Sequence, residues 1–72
     1  FEISAHGPVH LAIYDARAAL VRVLVDESLR PGHHSVTWDG TNSRGVTLPS
    51  GPYLVRLVAE SSVHERRIVV LK

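Results

Sequence analysis

Asp39, Thr41 and Ser43 set oxygen-bearing side chains at alternate positions directly after the only tryptophan, Trp38. Alternating oxygens of this kind begin calcium loops. Such loops add further carboxylates and end on a bidentate glutamate, whereas Asp39 is the sole acid between Ser35 and Leu57. Calcium is a weak reading. Five histidines offer imidazole nitrogens. His33 and His34 are adjacent, and on a strand they point to opposite faces. His6, His10 and His64 would have to be brought together by the fold, and zinc wants three or four converging ligands. Serine, histidine and aspartate all occur, yet no Gly-x-Ser-x-Gly elbow carries a nucleophile, and Pro49-Ser50-Gly51 reads as a turn. No glycine-rich loop opens a helix, so no phosphate cradle is indicated. A sugar platform needs exposed aromatics. Alternation turns Trp38 and Tyr53 inward and leaves Tyr14 as the better surface candidate. The expectation is therefore no catalytic, cofactor-binding or metal-binding residue, and no cofactor.

The elements that must position these residues have a period of two. Val9, Leu11 and Ile13 alternate with His10, Ala12 and Tyr14; Val36 and Trp38 with Ser35 and Thr37; Tyr53, Val55, Leu57 and Ala59 with Leu54, Arg56, Val58 and Glu60. Each run is a strand with one face toward a core. Ala18 to Val25 reads as a strand carrying a bulge that turns both Val21 and Leu24 inward. Arg66 to Leu71 is a last apolar strand, its paired arginines discouraging edge-to-edge aggregation. Turns fall at Gly7-Pro8, at Asp15 to Ala18, across a polar loop from Asp26 to Gly32, and at Glu60 to Ser62. About six strands at roughly 8–12-residue spacing predict a β-sandwich or small barrel.

Between the third and fourth of these strands stands the longest connection. Asp39 suits an Asx-turn, and Gly40 supplies a sharp change of direction. Asn42 to Gly45 suits a type I turn. Pro52 can begin a strand because no ladder N–H is needed there. Trp38 and Tyr53 are expected to fill the core on either side.

Seventy-two residues make one domain with a thin stability margin. The net charge of +1, spread along the chain, gives no electrostatic ground for a nucleic-acid partner. No apolar run approaches the ~18 residues of a membrane helix, so direct membrane insertion is not expected. With no cysteine the redox compartment is unreadable. The chain begins at Phe1 in what looks like mid-strand, and reads as a domain cut from a longer protein.

"VHLAIYD", "LVRVLVD" and "PGHHSVTWDGTNSRGVTLPSGPYLVRLVA" together resemble the Ig-like domain of the flagellar hook-capping (FlgD-like) protein family. More closely they resemble versions of that domain at the C-termini of secreted bacterial proteins, and "RRIVVLK" is similar to the ending of type IX secretion sorting domains. The resemblance runs from about Val9 to Lys72 and rests on Trp38-Asp39-Gly40, Arg44-Gly45, Ser50-Gly51 and Tyr53. It implies an all-β, Ig-like or fibronectin III-like sandwich of about seven short antiparallel strands. It makes residues 1–72 a single, non-enzymatic C-terminal domain of a larger secreted protein. Trp38, Asp39, Gly40, Gly45, Gly51 and Tyr53 are its structural signature, and Ile68, Val69, Val70, Leu71 and Lys72 its sorting strand. The implied partners are the parent's upstream domain and an outer-membrane secretion machinery, and the implied location is extracellular or on the cell surface. The family usually has glycine where this chain has Ala18, and often an aliphatic residue where it has Pro52. Two alternatives stand beside sorting: a spacer or interaction domain packing on its parent enzyme, and a carbohydrate-binding module.

Overall fold

The computed structural model describes residues 1–71. Among them there is no helix and there are six strands: β1 (Glu2–Ile3), β2 (Gly7–Tyr14), β3 (Leu20–Leu29), β4 (Gly32–His33), β5 (Gly51–Ala59) and β6 (Ser62–Val70). The four long strands form one antiparallel sheet in the order β3-β2-β5-β6, and β1 pairs with β4 as a separate ribbon. The all-β, antiparallel expectation holds. The described residues form six strands rather than about seven, and beside the four-stranded sheet stand a two-stranded ribbon and a long irregular connection.

One face of the sheet carries the apolar alternation. Val9, Leu11 and Ile13 of β2 lie opposite Ala59, Leu57 and Val55 of β5, and cross-strand pairs of this kind hold a sheet together. Ile3 of the ribbon packs with Val9 and Ala59 as the core, with Phe1, Val25, Leu29 and Leu57 against it. Burial of a side chain the size of Ile13, almost wholly removed from solvent, stabilises by roughly 1.5–3 kcal/mol. Ala12 is also fully buried, though it points to the other face. There it lies opposite Arg56, whose guanidinium sits 5.0 Å from the centre of the Tyr14 ring and bonds Glu65 at 2.6–2.7 Å.

Two expected boundaries shift. The polar loop placed from Asp26 is strand as far as Leu29, because Gly7 to His10 of β2 supply its backbone partners. Ser35 to Trp38, expected as a strand, forms none; the alternation is present, but no neighbouring strand offers it a ladder. The bulge expected in β3 is there twice, with register shifts that leave Leu24 and Val21 as extra residues, both half-buried. Asp15 closes the β2–β3 turn, its carboxylate accepting from the N–H groups of Arg17 and Ala19 at 2.9 and 3.0 Å. Ala18 sits in that turn at φ 64°, so the position where the resembled family has glycine keeps the left-handed backbone at some cost in strain.

Candidate functional site

The connection from β4 to β5 is organised by its own side chains. Asp39 Oδ1 accepts from the N–H of Thr41 at 3.1 Å and from its hydroxyl at 2.5 Å, the Asx-turn that the sequence suggests. Arg22 Nη1, reaching from β3, donates to Asp39 Oδ1 at 3.2 Å and to the Thr41 hydroxyl. The Thr41 hydroxyl, and to a lesser degree the Thr41 N–H and the Arg22 charge, holds the Asp39 carboxyl below its ordinary pKa. Asn42 accepts from the N–H groups of Arg44 and Val46, and the Gly45 N–H closes the type I turn on the Asn42 carbonyl at 3.0 Å. Gly40 and Gly45 stand at φ 79° and 78°, where a side chain would be strained.

Trp38 and Tyr53 meet edge to face across this corner, ring centres 5.5 Å apart. Tyr53 is buried and Trp38 half-buried. Each polar end is satisfied locally: Trp38 Nε1 donates to the Thr41 carbonyl at 2.8 Å and the Tyr53 hydroxyl to the Pro49 carbonyl at 2.7 Å. The second bond is the tyrosine-corner arrangement of Ig-like sandwiches. Gly51 opens β5, and Pro52 follows it opposite Val69.

At the other end of the sheet the β5–β6 hairpin turns on two residues, Glu60 and Ser61, both left-handed at φ 53° and 61°. This is the type I′ geometry that ordinarily selects Asn-Gly. The Glu60 carboxylate reaches the loop after β1, where one oxygen accepts from the Ser4 hydroxyl at 2.5 Å, the Ser4 N–H at 2.6 Å and the Ala5 N–H at 2.9 Å. The Ser4 hydroxyl first, then the Ser4 N–H, pulls the Glu60 pKa down.

No group of three or more histidine, cysteine, aspartate or glutamate side chains among the described residues could hold a metal. Asp39 faces Arg22 where a calcium reading would need a cation. His33 pairs with exposed Glu2 at 3.2 Å, and His34 stacks on Phe1. The Tyr14 ring lies under Arg56. Ile68, Val69 and Val70 belong to β6, paired with Tyr53, Pro52 and Gly51. Leu71 follows the strand and is exposed, and Lys72 lies outside the described residues.

Among the contacts beyond the sequence-based expectations are three that tie charged side chains to other elements. Arg56 opposite Glu65 is legible in the sequence, since a two-residue turn at Glu60-Ser61 fixes that register. Arg22 toward Asp39, and Glu60 toward Ser4, carry no local signal.

The FlgD Ig-like domain family model matches residues 3–62. The basal-body rod modification protein FlgD of Escherichia coli (strain K12) is 42% identical over 57 residues, 79% of this chain and 25% of that protein. Its namesake in Salmonella typhimurium (strain LT2) is 38% identical over 53 residues, 74% of this chain and 23% of that protein. No solved structure matches the chain significantly. The chain thus spans about a quarter of the length of these curated relatives. These matches correct the type IX sorting expectation: the relatives are named for the basal-body rod, and the family match stops at residue 62, short of Ile68 to Lys72, on which sorting rested. The extracellular or cell-surface location falls with it.

Proposed function

The chain belongs to the FlgD Ig-like domain family, and from that premise we propose that it is a structural module of flagellar assembly, working within a longer FlgD-type protein and without catalysis. The observation that carries this is the match to FlgD across most of the chain, at 42% identity to a protein named for modifying the basal-body rod. The geometry is in keeping with it. The corner's polar groups are engaged with one another, which suits a rigid part held in an assembly better than a site that awaits a ligand.

On this reading residues 1–72 act as one Ig-like unit, and their partner is the rest of the parent protein. Trp38, Asp39, Gly40, Gly45, Gly51 and Tyr53 serve to hold the corner. A chimaera tests the proposal. In an Escherichia coli strain lacking its own FlgD, the matching quarter of that protein is replaced by this chain. Restored swimming in soft agar supports the assembly role. A chimaera that accumulates normally yet builds no flagella counts against it.

A further inference from the structure

The two outer edges of the main sheet differ in a way that bears on association. At the β3 edge the ladder is broken twice by register shifts, and Ser43 donates its N–H to the Val21 carbonyl at 3.3 Å. Bulges and covering loops are how proteins keep an edge from recruiting another strand. The β6 edge has neither a bulge nor a covering loop; its defence is the charge of Arg66 and Arg67, and a pairing that sets Arg67 against a glutamate turns part of that repulsion into attraction. Its nine residues pair with β5 without interruption from Ser62 to Val70, and β6 is the last strand of the sheet.

We propose that the free edge of β6 is a homodimer interface, pairing antiparallel with β6 of a second copy about a twofold axis at Arg66. The argument is the order of side chains along one face. Val63, Glu65, Arg67 and Val69 share that face by alternation. Centred on Arg66, the pairing sets Val63 opposite the second copy's Val69 and Glu65 opposite its Arg67, and the same contacts recur by symmetry, as an isologous interface requires. Val63 and Val69 are 60% and 67% exposed, so two apolar surfaces find cover. Glu65 bonds Arg56 through Oε2 alone, which leaves Oε1 for an incoming guanidinium. Shifting the register by two residues sets Glu65 against Glu65, or Arg67 against Arg67, and like charges directly opposite are unfavourable. The cost of the favoured register lies on the other face, where Arg66 meets its own copy.

The sequence has no cysteine, so cross-linking starts from a clean background. The doubly substituted chain Val63→Cys with Val69→Cys should give a disulfide-linked dimer on mild oxidation, since directly opposed pairs fall within disulfide reach. By sedimentation equilibrium, Arg67→Glu should weaken dimerisation by at least about tenfold. The swap Glu65→Arg with Arg67→Glu should recover part of that loss, and Arg66→Thr should tighten association severalfold. A circular dichroism spectrum matching the wild type confirms that each variant is folded. A chain that sediments as a monomer at millimolar concentration overturns the proposal. A dimer indifferent to Arg67→Glu and without the 63–69 cross-link overturns it equally.

Discussion

The two ends of the main sheet solve the same problem by different means. At the Trp38–Tyr53 corner, most polar groups find partners two to four residues away: Asp39 with Thr41, Asn42 with Arg44 and Val46, Trp38 with Thr41, Tyr53 with Pro49. At the Glu60 turn, the decisive contact joins positions 55 and 56 residues apart. The corner uses glycines where the backbone turns left-handed; the hairpin uses Glu60 and Ser61 there. The difference teaches that a strained turn can stand without glycine when a long-range contact holds it in place. Local closure makes the corner a packing unit, and long-range closure makes the hairpin an electrostatic latch between the first and last thirds of the chain.

Four measurements break or sharpen this contrast. Trp38→Ala removes the aromatic contact and the bond to the Thr41 carbonyl, and should cost about 3 kcal/mol, toward the lower end for large aromatic deletions because Trp38 is only half-buried. Urea denaturation followed by circular dichroism reads it. A loss under about 1 kcal/mol would mean that the corner is not a packing unit. Tyr53→Phe keeps the ring and deletes one half-buried hydrogen bond, for an expected loss of about 1 kcal/mol in the same assay. Ser61→Gly relieves a left-handed residue in the hairpin and should stabilise by about 0.5 kcal/mol, the gain being limited by the freer unfolded chain. A destabilisation would show that Ser61 is not strained.

Glu60→Gln has the smallest effect at neutral pH and the clearest pH signature. Because the Glu60 pKa is lowered by folding, its contribution is complete above the unfolded value of about 4.3. It is lost as pH falls through the lower folded value. The wild type should therefore lose thermal stability on acidification below about pH 4.5, and Glu60→Gln should flatten that decline. Asp39, lowered in the same direction, accounts for part of the slope that remains. Parallel acid limbs in wild type and variant would remove the latch from the account.

The candidate site was largely legible because its logic is local. An Asx-turn and a type I turn depend on residues a few positions apart, and each forms where the sequence places it; Pro52 falls one residue inside β5, which Gly51 opens. The tyrosine-corner bond spans four residues, yet nothing in Pro49 or Tyr53 announces it. Function was less legible. The terminal Ile68 to Lys72 resembles a sorting signal, but an apolar strand beside two arginines is equally an ordinary edge strand, and the relatives are named for the basal-body rod.

By itself the sequence determined the strand periodicity, the turns closed by Asp15, Asp39 and Asn42, and the inward face of β2 and β5, since each depends on the chemistry of near neighbours. Only the tertiary structure decided that Ser35 to Trp38 would not be a strand, that Arg22 would face Asp39, and that Glu60 would clasp Ser4. A ladder needs a neighbour to pair with, and a charge needs an opposite group within a few ångströms. Both depend on where distant parts of the chain are brought together, which no local pattern records.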